Sequence, residues 1–338
     1  MDKGKISVIM AVYNTPAFML TKAVRSIWNQ TYNKIEFIIV NDKSTEQDTI
    51  IAIKNIVKEY PETILINNEF NYGLTKSLNI ALKHCTGEYI ARMDADDVSY
   101  PERFMEQWRY LEEHIEVCIV GTQVKRFGDS YKMQSISHCD YTKNEERFKI
   151  KMLFDNFGPM HPTVMIRHDF LKRNNIVYRE EIKKTQDYAL WIDCLNAGGV
   201  IKNLKKPLLK YRIHEGQISE KYNKEQIKFK QQIIKQQILH IFGSFSKEYL
   251  KAFCTLYSQT YELQKNIYVQ ALENLIERNR EKNIYNEKVF IDEIQKRWIH
   301  KCAKCIIRDK DVSGLFIVYT WKCIFSKSLL GWLKERIL

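Results

Sequence analysis

The residues that most plainly suggest chemistry are Asp94-Ala95-Asp96, two carboxylates at alternate positions, directly after the predicted strand Glu88 to Met93. Alternate strand residues share a face, so both carboxylates can point toward one site. Carboxylate oxygens suit a hard divalent cation, Mg²⁺ or Mn²⁺, that still accepts water and phosphate oxygens as ligands. Such a cation acts as a Lewis acid on the charge of a departing diphosphate. A D-x-D pair alone is a weak signal, because acidic loop residues are most often only solvated. A second acidic and polar cluster, Asn41-Asp42-Lys43-Ser44-Thr45, follows the predicted strand Ile35 to Val40.

The elements that must position these groups alternate in type. Ile6 to Val12 is a short, near-continuous apolar run, as expected for a strand buried on both faces. Tyr13 to Pro16 turns into a helix over Phe18 to Gln30, where Leu20, Val24, Ile27 and Trp28 keep helical spacing. A helix over Gln47 to Tyr60, a strand over Thr63 to Asn67, a turn at Asn71 to Leu74 and a helix over Thr75 to His84 follow. This order predicts an α/β fold with a doubly wound, mostly parallel sheet. Ligands of such sheets bind at the carboxyl ends of the strands, where both acidic clusters lie.

Further along, the pattern predicts a helix over Pro101 to Glu113, a strand over Val117 to Thr122 and irregular chain over Phe127 to Asp140. Helical character is expected over Lys143 to Phe154, a strand over Met160 to Ile166, a helix over Gln186 to Asn196 and a last strand over Lys206 to His214. After about Ser219 glycine and proline almost vanish. The expected division is therefore 1–219 as the sheet domain and 220–338 as a helical, basic region.

The chain has 338 residues and a formal charge of +12, which favours an anionic partner: a nucleotide, a membrane surface or a nucleic acid. The basic residues form no nucleic-acid recognition module, so no nucleic-acid partner is expected. No G-x-G-x-x-G follows the first strand, which argues against a dinucleotide-binding enzyme. Among eight cysteines only Cys302 and Cys305 are close, as C-x-x-C with no second pair to complete a zinc site. They read as reduced thiols of a cytoplasmic protein. No signal peptide fits the start, and the apolar stretch Val312 to Leu333 is broken by Lys322 and Lys327. Residues 295–338 hold ten lysines and arginines against three acids, interleaved with aromatic residues such as Trp298, Trp321 and Trp332. That composition suits attachment to an anionic membrane surface, or equally a helical bundle with its lysines in water.

Several motifs occur in register: Ser7 to Asn14, Gln30-Thr31-Tyr32, Glu36 to Asp42, Asn71-Tyr72-Gly73-Leu74, Asn79, Gly87 to Ile90 and Met93 to Asp97. Together they resemble the family 2 (inverting) glycosyltransferases with the GT-A fold, over about residues 5–215. The resemblance implies a metal-dependent enzyme that moves a sugar from a nucleoside-diphosphate sugar to a hydroxyl of a glycan or lipid-linked acceptor. UDP-hexose is the implied donor, Mn²⁺ or Mg²⁺ the implied cofactor, and bacterial surface polysaccharide the implied product. A nucleotide-sugar-binding protein without catalysis is the alternative, and Asp96 and Asp187 argue against it.

Carried over by position, the resemblance implies that Ala11, Val12 and Tyr13 border the nucleobase and that Asp42 hydrogen-bonds the base or ribose. Asn41 stands in place of the first acid of the family's usual pair. Lys76 would approach the nucleotide, Asp94 with Ala95 would support the ribose and its loop, and Asp96 would ligate the metal. Thr185-Gln186-Asp187 resembles the family's Glu-Asp motif with Gln186 in place of the glutamate, which makes Asp187 the base that deprotonates the acceptor. His214 would complete the metal site, Arg212 would pair with phosphate, and His161 would lie on the acceptor side.

Overall fold

The computed structural model describes residues 1–128, 144–213, 223–256 and 262–309, with the backbone alone for 131–136 and 303–309. The chain divides into two compact units, Met1–Glu145 with Phe157–Phe229, and Glu146–Asn156 with Lys230–Leu338. The expected boundary at 219 falls outside the described residues.

In the first unit, β1 (Asp2–Val12) has to be central because Ile6, Val8, Ile9, Met10 and Val12 leave neither face free for water, each being at most 1 % exposed. It pairs in parallel with β2 (Ile35–Asn41) on one side and β4 (Gly87–Arg92) on the other, and β2 pairs in parallel with β3 (Thr63–Asn67). Between β1 and β2 lies α1 (Ala17–Trp28), whose first turn closes on the Pro16 carbonyl through the Met19 and Leu20 N–H groups. Its buried stripe of Leu20, Ala23, Val24 and Ile27 joins β1 and β2 side chains in one apolar core. The remaining crossovers are α2 (Gln47–Glu59) and α3 (Leu74–Lys83).

Past β4 the chain gives β5 (Val98–Ser99), α4 (Arg103–Glu113), β6 (Val117–Gly128) and β7 (Tyr131–Ile136). Then come α5 (Glu145–Met152), a 3₁₀ turn over His161–Thr163, β8 (Met165–Arg167), α6 (His168–Arg173), α7 (Gln186–Asn196) and β9 (Val200–Arg212). The sheet runs β3-β2-β1-β4-β8-β6-β9-β5, with β7 paired to β6. The expected parallel order holds from β3 to β4. β8 is antiparallel to both β4 and β6, β9 runs parallel to β6, and the result is a mixed sheet.

Three expectations change here. The strand expected over Met160 to Ile166 is a 3₁₀ turn and then a three-residue strand, because Pro162 has no N–H for a ladder. The stretch expected to be irregular from Phe127 carries the end of β6 and then β7. The last strand starts at Val200 rather than Lys206, and α6 was not foreseen.

At the amino-terminal edge of the sheet, opposite the strand ends that carry the acids, Glu36 is 8 % exposed and still charged. It accepts from the Thr86 N–H (2.7 Å), the Thr86 hydroxyl (2.8 Å), the Gly87 N–H (3.1 Å) and the Ser7 hydroxyl, and Lys5 lies 3.2 Å away. Burial works against the charge, but the hydrogen bonds from Ser7 and Thr86 outweigh it and hold the pKa at about 2 against an ordinary 4.5. A folded-state pKa below the unfolded one contributes stability that is full above about pH 4.5 and is lost as pH falls toward 2. Wild-type melting temperature should therefore fall through that window, and Glu36→Gln should flatten this part of the curve while lowering the plateau at neutral pH. Parallel curves for the two proteins would refute the assignment.

The second unit contains most of α5 and, from Lys230 onward, α8 (Asn223–Phe242), α9 (Lys247–Thr255), α10 (Lys265–Lys282) and α11 (Glu287–Asp309). Phe242, Phe253, Tyr268, Leu272, Phe290 and Trp298 are buried in it, as are Phe148 and Ile150. Arg147 pairs with Glu293 (2.5 Å) and Asp292, and Arg297 with Glu293 (2.8 Å), so the one nearly buried glutamate there is compensated. Cys302 is buried; the Cys305 side chain, and residues 310–338 of the stretch 295–338 on which the membrane-surface expectation rests, lie outside what is described. Among the described residues no helix is long and apolar enough to cross a membrane.

Candidate active site

The acidic loop is fixed from three strands. β4 ends at Arg92, and the Met93 N–H still donates to the Ile9 carbonyl of β1 at 3.1 Å, so strand alignment persists to the edge of the loop. At the end of β9 the Arg212 N–H donates to Asp97 Oδ1 (2.8 Å) and its Nε to the Asp96 carbonyl (2.7 Å). The Arg212 guanidinium lies over the rings of Phe127 (4.3 Å) and Phe18 (5.7 Å) and is 8 % exposed. Arg212, expected to pair with phosphate, thus also shapes the loop.

Held in this way, Asp94, Asp96 and Asp97 each offer a carboxylate oxygen, all within 4.8 Å of one another. An all-oxygen donor set of this kind fits a hard divalent cation. Asp97 is fully buried, Asp94 and Asp96 half-buried. Burial raises the Asp94 pKa; the Arg92 guanidinium, which pairs with it, opposes this, and the charges of Asp96 and Asp187 add to it. Asp97 is pushed well above the usual carboxylate range, by burial first and then by Asp96 and Asp94. These groups repel one another as they stand, and a cation relieves that repulsion.

Asp187 enters from α7. It is the second residue of the helix, where its charge meets the positive end of the dipole. Ahead of it Thr185 is in the left-handed region (φ 58°), a conformation that costs a β-branched residue about 1 kcal/mol or more. The helix behind is anchored by Tyr188, Leu190, Trp191 and Ile192, all at most 1 % exposed. Asp187 is half-buried, and its charge acts both on Asp94 and on the phenol of Tyr178. Residues 94 and 187 therefore share one low-dielectric region.

Tyr178 is positioned by α3: Asn79 Nδ2 donates to its carbonyl (2.8 Å) and Asn79 Oδ1 accepts from its N–H (2.9 Å). Its hydroxyl bonds His161 Nε2 at 2.7 Å, and the His161 ring meets the edge of Trp191. His161, expected on the acceptor side, is 7 % exposed and held in its neutral form by burial and the nearby Arg92 charge.

Asp42 has a similar outcome. Expected to bond a base or ribose, it is 3 % exposed, and its oxygens accept from Asn68 Nδ2 (2.7 Å), the Tyr72 N–H (2.8 Å) and the Gly73 N–H (2.8 Å). It thus holds the turn into α3, where Gly73 takes φ 84°. Asp42→Ala should lower unfolding stability by about 1 kcal/mol or more, because it strips the acceptor from the buried Asn68 amide and from two part-buried N–H groups. An unchanged urea midpoint would remove this role. Lys76, from the same turn, lies over the Tyr72 ring at 4.2 Å. Ala11 is half-buried, Val12 and Ala95 are buried and Tyr13 is 50 % exposed, with Asn14 tying their loop to the start of α2 through bonds from the Thr45 and Glu46 N–H groups (2.8 and 3.1 Å). His214 lies outside the described residues. Arg92 and Tyr178 were not anticipated. For Arg92 a signal existed, since it has the same strand parity as Asp94 and Asp96.

The family model for glycosyl transferase family 2 matches residues 7–174. The uncharacterized glycosyltransferase MJ1057 of Methanocaldococcus jannaschii is 32% identical over 215 residues, 63% of this chain and 72% of that protein. The O-antigen biosynthesis glycosyltransferase WbnJ of Escherichia coli is 32% identical over 216 residues, 62% of this chain and 80% of its own. Among solved structures, S. aureus TarS 1-349 in complex with UDP-GlcNAc aligns with TM-score 0.58 and 19% identity, over 92% of this chain and 89% of that one. This likeness and the sheet order agree with the GT-A fold followed by a helical region. The chain belongs to glycosyl transferase family 2 and is a glycosyltransferase, with a relative named for O-antigen biosynthesis.

Proposed function

We propose that this enzyme transfers a hexose, with inversion, from a UDP-hexose to a hydroxyl of a glycan or lipid-linked acceptor in surface polysaccharide synthesis. The observation that carries the reading is that Asp187, far along the chain, acts electrostatically on Asp94 beside a cation-fitting oxygen cluster. WbnJ is a relative named for O-antigen biosynthesis, and TarS 1-349 is a structural neighbour bound to UDP-GlcNAc, which supports the donor and product classes.

In this mechanism Asp187 takes the proton of the acceptor hydroxyl as its oxygen attacks the anomeric carbon, from the face opposite the leaving nucleoside diphosphate. Asp96, with Asp94 and Asp97 beside it, would hold Mn²⁺ or Mg²⁺, which supplies Lewis-acid neutralisation of the leaving diphosphate. The Asp42-held turn and the Ala11 to Tyr13 loop form the nucleotide side. A panel of nucleoside-diphosphate sugars with Mn²⁺ or Mg²⁺, read by nucleoside-diphosphate release, should single out a UDP-hexose. Release from no donor with either metal would overturn the reading.

A further inference from the structure

Arg92 is a buried charge that the mechanism above leaves unused. It is 3 % exposed, its guanidinium pairs with Asp94, and among the described residues its Nε and Nη1 have no hydrogen-bond partner. Its main chain is independently secured: the N–H donates to the Val164 carbonyl (3.1 Å), and the carbonyl accepts from Arg103 Nη2 (2.8 Å). The other groups that feel or exert its charge include Asp97, Tyr178, Tyr211, the neutral His161 and Arg103. The backbone there does not need this side chain, and two buried N–H groups without acceptors are unfavourable.

A buried ion pair seldom stabilises a fold more than an apolar pair of equal volume. Its advantage is directional, because the rigid planar fork of arginine fixes how a carboxylate faces. Arg92 stands on the inner side of Asp94, one strand repeat below it, while Asp94 keeps part of its surface toward solvent (31 % exposed). It is also a permanent cation whose charge acts on the Asp94 and Asp97 carboxylates.

We propose that Arg92 is a positioning residue, which aims the Asp94 carboxylate so that the Arg92–Asp94 pair, acting as a unit, sets affinity for the nucleoside diphosphate and its cation. This rests on the glycosyl-transfer reading. Arranging the acid before the ligand arrives lowers the cost of ordering it on binding. Arg92 itself does not touch the donor.

The test is a double-mutant cycle on the full chain with Arg92→Met, Asp94→Asn and the double variant, plus Arg92→Lys. Binding of UDP with Mn²⁺ is measured by calorimetry, donor KM and kcat by nucleoside-diphosphate release, and folding by melting temperature. Arg92→Met should weaken UDP–Mn²⁺ binding and raise donor KM about 10-fold or more, with a smaller fall in kcat. Arg92→Lys should recover part of that loss. The double variant should be no worse than the weaker-binding single, a coupling of about tenfold. Additive losses, or Arg92→Met binding UDP–Mn²⁺ like wild type, would overturn the proposal. So would a loss of binding that Arg92→Lys does not relieve and that tracks a lowered melting temperature. A wild-type protein that releases no nucleoside diphosphate would instead refute the functional reading, whatever the variants bind.

Discussion

Asp187→Ala should reduce the rate of sugar transfer by about 100-fold or more, with donor binding nearly unchanged. Such a loss corresponds to about 2.7 kcal/mol of transition-state stabilisation. The expectation follows from where the carboxylate sits. Asp187 is presented by the first turn of α7, half-buried, with the residues behind it packed so tightly that the helix has no freedom to retreat. It acts on Asp94 without belonging to the oxygen cluster, so its removal should spare the cation and the diphosphate. Calorimetry with UDP and Mn²⁺ should accordingly give values close to wild type. The isosteric Asp187→Asn should be as slow as the alanine variant, because shape is preserved and only the proton acceptor is lost. Transfer by either variant within a few-fold of wild type would take the base away from this position.

The second large effect falls on the cation side. Asp96→Ala should also lower the rate by about 100-fold or more, and here binding of UDP with Mn²⁺ should fail as well. The three acids approach within 4.8 Å although two of them are strained by burial and by each other's charge. Removing one relieves that repulsion, so the variant should fold at least as stably as wild type while losing function. The two readouts therefore move in opposite directions, which separates loss of a ligand from general damage. A slow variant with a lowered melting temperature and intact Mn²⁺-dependent binding would place the cation elsewhere.

The half of the sheet from β3 to β4 was legible in the sequence because β1, β2 and β4 are largely buried on both faces and read as apolar runs punctuated by turn residues. The other half was not. β8 has three residues, β7 follows a break in a polar stretch, and β9 shifts register against β6, so neither period nor length marks them. The site divides along the same line. Asp94 and Asp96 stood out as alternate acids after a predicted strand, a weak signal until the neighbouring motifs joined it, and Asp187 through the resemblance of Thr185-Gln186-Asp187 to a family motif. The burial of His161, the turn-holding role of Asp42 and the grip of Arg212 on Asp96 and Asp97 depend on partners 17, 30 and 115 residues away. Local pattern carries no record of such pairings.

The helical unit is stitched from two separate pieces of chain, and its early piece, residues 146–156, brings Phe148, Ile150, Met152, Leu153 and Phe154, all at most 3 % exposed. A truncation after residue 229 would leave that segment behind without the helices of its own unit. Swapping the tail between relatives at a single junction is therefore expected to yield insoluble chimeras, whereas moving 146–156 together with its later companion should keep them in solution.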